Sequence, residues 1–243
     1  MEAIILAGGQ GTRLAGVIQD VPKPMAPVGG FPFLAWLLTY LIHQGYQKVI
    51  LSVGYKKDAI QSYFGANYGP LALQYSTEDT PLGTGGAIQK ALLMTANQHT
   101  TVINGDTFYA LNHQTLYKRH SAGQTMTMAL RTVDNATRYG TVDTDQEQKI
   151  VSFSGPHDGP GLINAGVYIL SADIFANIEV PISFSFEKDF LENHIAQLSI
   201  RGFIDDSFFI DIGIPKDYQR AQTSIPRLFS SQVRQAGPHP RAK

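Results

Sequence analysis

The chain of 243 residues contains no cysteine, so disulfide frameworks, thiolate zinc sites and cysteine nucleophiles are all excluded. It also has no surplus of either charge: 19 lysines and arginines face 20 aspartates and glutamates, and mean hydropathy is near zero. A nucleic-acid or membrane-surface partner would normally show as a basic excess or a basic helix face, so neither is expected. No apolar run approaches the length of a membrane span, and the first one, preceded by Glu2, is too short and wrongly charged for a signal peptide. The cytoplasm is therefore the expected location. The histidines, His43, His113 and His120 among them, show no metal-ligand spacing and are read as structural.

What is present is a hydrophobic content of 43%, enough for one large domain with a full core. Ala3-Ile4-Ile5-Leu6-Ala7 reads as a buried strand, and Gly8-Gly9-Gln10-Gly11 lets the backbone turn with its N–H groups free to meet an anion. Arg13 and Lys23 add fixed positive charge from the same loop, one as a planar fork and one as a point charge.

Downstream, periodicity predicts helices over 32–44, 57–64 and 84–96, alternating with strands over 48–53, 71–75 and 100–103. Alternation at this spacing predicts a Rossmann-like α/β fold, with a mixed, mostly parallel sheet flanked by helices and ligands at the carboxyl ends of its strands. The second half is richer in strands (125–131, 140–143, 150–153, 162–170, 200–204 and 207–210), with helices over 171–178, 186–196 and 215–222. This reads as a lobe that continues the first sheet. The division expected is one domain over 1–223, in two halves that divide at about 110, then a mobile tail over 224–243.

Two phosphate-loop alternatives fail on the residues. A dinucleotide fingerprint needs a third small residue where this chain has Leu14, and an acid at the end of the second strand, which here closes as Val53-Gly54-Tyr55. A P-loop needs Gly-Lys followed by a hydroxyl residue, and none is there.

Leu6-Ala7-Gly8-Gly9-Gln10-Gly11-Thr12-Arg13-Leu14 with Pro22-Lys23-Pro24-Met25 resembles the signature of the sugar-1-phosphate nucleotidylyltransferases. In order follow Pro81-Leu82-Gly83-Thr84-Gly85-Gly86-Ala87, Asn104-Gly105-Asp106, Asn164-Ala165-Gly166-Val167-Tyr168, Ser185-Phe186-Glu187-Lys188-Asp189 and Phe209-Ile210-Asp211-Ile212-Gly213-Ile214-Pro215. The resemblance runs from Met1 to about Tyr218, and within the family it is nearest to the heptose-1-phosphate guanylyltransferases. It implies the nucleotide-diphospho-sugar transferase fold, nucleoside triphosphate and sugar-1-phosphate as substrates, and Mg²⁺ as cofactor. Homo-oligomerisation is possible. A C-terminal repeat domain with acyltransfer or repeat-mediated trimerisation is not expected.

The implied reaction is attack of a sugar-1-phosphate oxygen on the α-phosphorus, with release of pyrophosphate. The nucleophile is already an anion, so the need is for cations rather than a general base. By resemblance, Arg13 would stabilise the departing pyrophosphate, Lys23 would hold the α-phosphate, and Lys188 the incoming sugar phosphate. Asp106 and Asp211 would hold the metal; two carboxylates at strand ends suit Mg²⁺, although either aspartate alone could be a turn residue. Leu6, Ala7, Gly8, Gly9, Gly11 and Thr12 would cradle the nucleotide. Gly83, Thr84, Gly85 and Gly105 would line it further on, with Gly85 and Gly86 admitting base or ribose close to backbone. Glu78 falls where the family reads the base: a carboxylate can accept both N1–H and N2–H of guanine but only one donor from thymine or uracil, which favours GTP. Its alternative is to face solvent beside Asp79. Asn164, Glu187 and the Tyr139-Gly140 pair would meet the sugar. Phe153-Ser154-Gly155-Pro156 departs from the Glu-Lys pair of many relatives and removes a sugar contact. Thymidylyl or uridylyl transfer to a hexose- or amino-sugar-1-phosphate, and a non-catalytic nucleotide-binding regulator, are the competing readings.

Overall fold

The structure, a computed structural model, describes residues 1–9, 21–120 and 123–230. In chain order the first part carries β1 (Glu2–Leu6), a 3₁₀ turn (Lys23–Met25), the short hairpin β2 (Pro27–Val28) and β3 (Phe31–Pro32), α1 (Phe33–His43), β4 (Lys48–Val53), α2 (Lys57–Phe64), β5 (Asn67–Tyr68), β6 (Leu71–Thr77), α3 (Gly83–Leu92), β7 (His99–Asn104) and β8 (Thr107–Tyr109). Then come α4 (His113–Arg119), β9 (Met126–Val133), β10 (Thr141–Thr144), β11 (Ile150–Ser154) and β12 (Gly161–Ser171). A π-helix (Phe186–Leu191) runs into α5 (Glu192–His194), and β13 (Ile200–Ile204), β14 (Phe209–Asp211) and α6 (Pro215–Ser230) complete the described chain.

The sheet forms because strand residues alternate between two buried layers. Ala3, Ile5, Val49, Leu51 and Val53 point into one apolar cluster with α1, α2 and α6, while Ile4, Ile50 and Val102 point into the other, with Ile88 of α3 and the aromatics Phe184, Phe186 and Phe190. β7, β1, β4 and β6 pair in parallel in that order. Antiparallel partners extend this core at both sides, β5 beyond β6 and β12 beyond β7, and β12 in turn carries β9 and β10. β9 to β13 thus join the first-half sheet as expected, in a mixed sheet with a parallel core covered by helices, whereas β14 pairs with β8 in a separate two-stranded sheet.

Two expectations are corrected. Residues 171–178 are not helical; Ile174, Ala176 and Ile178 donate to the carbonyls three residues back, giving successive turns that seat Ile174 and Phe175 on the aromatic cluster. The final helix does not stop at 222 and lead into a tail at 224: α6 continues through Pro226 to Ser230, with Ala221, Ile225 and Phe229 buried at helical spacing. Residues 231–243 lie outside the described part.

Candidate active site

The parallel core ends in a cavity of about 560 Å³ lined from four strand ends: Leu6, Gly8 and Gly9 after β1, Ser52, Gly54 and Tyr55 after β4, Glu78 and Asp79 after β6, and Asn104, Gly105 and Asp106 after β7. This is where an open α/β sheet receives a ligand, since loops diverge there and leave backbone groups accessible. Lys23, Pro24, Thr80, Pro81, Gly83, Thr84 and Ala87 complete the wall.

At one end two carboxylates converge. The antiparallel pairing of β14 with β8 sets Asp211 opposite Thr107, which brings it beside Asp106; Ile212 N–H also donates to the Asp106 carbonyl at 3.0 Å. Lys23 Nζ lies 2.5 Å from Asp106 Oδ2 and 3.9 Å from Asp211 Oδ1. Burial and then the Asp106 charge push the Asp211 carboxyl above its ordinary range, against the opposing pull of Lys23, the Gly213 N–H and Arg138. The pair is a concentration of negative charge, open on the Asp106 side, that stabilises and is stabilised by a cation. Two carboxylates are the number Mg²⁺ takes when phosphate oxygens supply the rest, so the donor set fits that ion. Among the described residues no group of three or more histidines, aspartates or glutamates forms a full protein cage.

Glu78 does not face solvent beside Asp79. Its Oε2 accepts from Leu82 N–H at 2.9 Å and its Oε1 from Ser52 Oγ at 3.3 Å, and a Cβ at Gly8 would stand 2.8 Å from Oε1. A side chain at Gly8 would displace this carboxylate. Asp79 is instead paired with Lys57 at 2.9 Å.

The other glycines serve a different neighbour from the one expected. A Cβ at Gly85 would lie 2.1 Å from the Phe184 ring, one at Gly86 would lie 2.4 Å from the Ile182 carbonyl, and Gly83, at φ +68°, faces the Phe184 carbonyl. They make room for the 182–184 segment rather than for base or ribose. Gly85 is buried away from the cavity, while Gly83 lines it. Gly105 lines it too, but a Cβ there would lie 2.3 Å from the Leu6 carbonyl. Ala7 is wholly buried and donates to Ser52 O, so it belongs to the core.

The Thr84 hydroxyl donates to Glu187 Oε2 at 3.0 Å and accepts from Phe186 N–H at 2.8 Å. Glu187 Oε1 accepts from the buried Tyr168 hydroxyl at 3.3 Å, and Asn164 Nδ2 donates to the same hydroxyl at 2.7 Å. Asn164 sits at an irregularity of β12, where Gly166 takes φ +70°. The structure therefore joins Asn164 and Glu187 in one network. Lys188 is exposed on the first turn of the π-helix, where Ser185 Oγ caps its N–H. Tyr139 packs edge-on against Phe209 outside the cavity wall, with its phenol pushed up by burial and then by Asp211, and Gly140 is exposed. Gly11, Thr12 and Arg13 lie outside the described residues.

Sequence reasoning missed Arg138, whose guanidinium stacks over the Tyr139 ring, reaches Asp211 at 3.6 Å and bonds Asp217 on the first turn of α6. Its position immediately before Tyr139-Gly140 was the available signal. Tyr55 and Ser52, at the end of β4, were also missed.

A sheet-end cavity with Lys23 and Asp106 in its wall and Asp211 beside them is where an open α/β sheet receives a ligand. The chain matches the Nucleotidyl transferase family over residues 2–227 and belongs to it. It is 45% identical over 226 residues to the D-glycero-alpha-D-manno-heptose 1-phosphate guanylyltransferase of Aneurinibacillus thermoaerophilus, covering 93% of this chain and 98% of that one. The enzyme of the same name from Campylobacter jejuni is 43% identical, covering 90% and 97%. Among solved structures, HddC from Yersinia pseudotuberculosis complexed with GMP-PN superposes with a TM-score of 0.80 at 39% identity, covering 91% of this chain and 97% of that one. No helix among the described residues is long and apolar enough to cross a membrane.

Proposed function

We propose that this chain transfers GMP from GTP to a heptose-1-phosphate, giving the GDP-sugar and pyrophosphate. The observation that carries the reading is the pinned Glu78 carboxylate in a cavity whose wall also holds Lys23 and Asp106, with Asp211 beside them. A carboxylate held at one end selects a base with two adjacent donors, and the charged end receives the triphosphate. The 45% and 43% identity to two heptose-1-phosphate guanylyltransferases supports the same substrates.

In this reading the nucleotide enters with its base against Glu78 and its phosphates towards Lys23, which exchanges part of its pairing with Asp106 for the α-phosphate. The exposed Lys188 neutralises the sugar phosphate, so that one anion can approach another. Asp106 and Asp211 would hold Mg²⁺, which when bound offsets the charge of the phosphate oxygens. Arg138, 3.6 Å from Asp211, joins Lys23 and the Gly213 N–H in favouring the ionised form of that carboxyl against burial and the Asp106 charge. Arg13 is assigned to the departing pyrophosphate. The cytoplasm, where GTP is made, is the compartment this chemistry requires, and the product suits assembly of a cell-surface polysaccharide.

The test is incubation with Mg²⁺, each nucleoside triphosphate and a panel of sugar-1-phosphates while pyrophosphate is followed. GTP with heptose-1-phosphate is expected to give the fastest release; no release above a sugar-free control with any pair would refute catalysis.

A further inference from the structure

We infer that Thr84 is a positioning residue that couples occupation of the nucleotide cavity to the geometry of the sugar-phosphate side, an inference that rests on the reading above. Thr84 stands in the cavity wall at the start of α3, and its hydroxyl bonds to the π-helix. A hydroxyl has one proton, and Thr84 gives it to Glu187 Oε2 while accepting the Phe186 N–H, so both bonds go to the π-helix. That helix carries Glu187 and Lys188, and π-geometry within a helix commonly marks a functional position.

The connection is continuous on both sides. Glu78 Oε2 accepts from Leu82 N–H, the Leu82 carbonyl accepts from Phe184 N–H at 3.0 Å, and Gly85 N–H donates to the Phe184 carbonyl at 2.9 Å. Beyond Thr84, Glu187 bonds Tyr168, which receives Asn164. Gly83, Gly85 and Gly86 lack side chains where this stitching brings 182–184 against α3, so the two segments meet at backbone distance. A base that engages Glu78 therefore acts on the same struts that hold Glu187 and, one residue on, Lys188. Packed elements joined in this way move together, and coupling between sites is reciprocal.

The experiment is isothermal titration of D-glycero-α-D-manno-heptose 1-phosphate into the protein with and without a saturating non-hydrolysable α,β-methylene GTP analogue. For the unmodified chain we expect the analogue to tighten sugar-phosphate binding at least 5-fold, within the range usual for coupled sites. Thr84→Val, which keeps the shape and removes the hydroxyl, should reduce that factor below 2-fold. Thr84→Ser should restore it. Coupling that persists in Thr84→Val, coupling absent from the unmodified chain, or a loss of analogue affinity as large as the loss for the sugar phosphate would each overturn the inference. Turnover of GTP and heptose-1-phosphate without coupling would sink this inference alone, whereas failure of every sugar-1-phosphate to turn over would sink the function on which it rests.

Discussion

Glu78 and Asp106 show how much one residue's role depends on what its neighbours leave free. Both Glu78 oxygens already accept a bond, from Leu82 N–H and from Ser52, so the carboxylate is held before any base arrives and little ordering cost remains. Glu78→Gln keeps an acceptor for Leu82 but removes the charge and replaces one oxygen by a donor. It is expected to lower kcat/KM for GTP by about 10- to 100-fold, the scale of a lost charged hydrogen bond, and for UTP by much less. Equal losses for both nucleotides would remove Glu78 as the base reader. Asp106→Asn should lower kcat at least about 100-fold, since a held cation supplies several kcal/mol of charge stabilisation. Its circular dichroism should not change, because the Asp106 side chain is about a third exposed; an active variant would contradict the metal assignment. The glycines teach the opposite lesson. Motif alone marks Gly85 as a ligand neighbour, whereas its open face is filled by Phe184, and Gly85→Ala should cost about 1–3 kcal/mol of stability through overpacking, read as a lower denaturation midpoint. Which atoms fill a missing side chain's space is a tertiary fact that a motif does not carry.

Among the elements, β4, α2 and β13 have the bounds that apolar periodicity predicts, since each is short, regular and closed by a turn. α6 exceeds its predicted length. A proline reads as a helix stop, but Pro226 is carried inside the helix, where the buried spacing of Tyr218, Ala221, Ile225 and Phe229 outweighs one lost bond. This matters for the site because α6 clamps the hairpin that follows Lys23. Tyr218 OH and Gln222 Nε2 both donate to the Pro27 carbonyl, at 2.6 and 2.9 Å, and Gly29 N–H donates to Gln222 Oε1. Phe229 packs on Trp36, Tyr40 and Phe108. Phe229→Ala should cost about 3–5 kcal/mol in a chemical denaturation experiment, whereas a residue in a loose tail would cost almost nothing. The run 171–178 misled in the other direction: its apolar residues have a helical rhythm, yet their burial against Phe184 and Phe190 is met by three-residue turns.

At the scale of the molecule, the parallel core and its strand-end cavity were legible because alternation of strand and helix fixes where loops gather. The meeting of Asp106 and Asp211 was legible only as motif; the cause is the register of β14 on β8, a long-range pairing that local pattern does not encode. The whole fold also carries a pH dependence. Burial holds His113 at about 4, below its ordinary 6.5, with its Nδ1 bonded to the Tyr46 hydroxyl at 2.9 Å. The folded chain keeps this imidazole neutral where the unfolded chain protonates it, so its contribution is full above about pH 6.5 and is lost as pH falls towards 4. Denaturation at pH 7 and pH 4.5 should differ by about 2–3 kcal/mol from this group, and His113→Asn should reduce the difference by that amount. The central claim is nucleotidyl transfer from the α-phosphorus of GTP to a heptose-1-phosphate. It is tested most directly by following radiolabel from GTP carrying phosphorus-32 at either the α- or the γ-position. The α-label is predicted to appear in a GDP-sugar and the γ-label in pyrophosphate; a γ-label on the sugar, or no transfer of the α-label, would contradict the account.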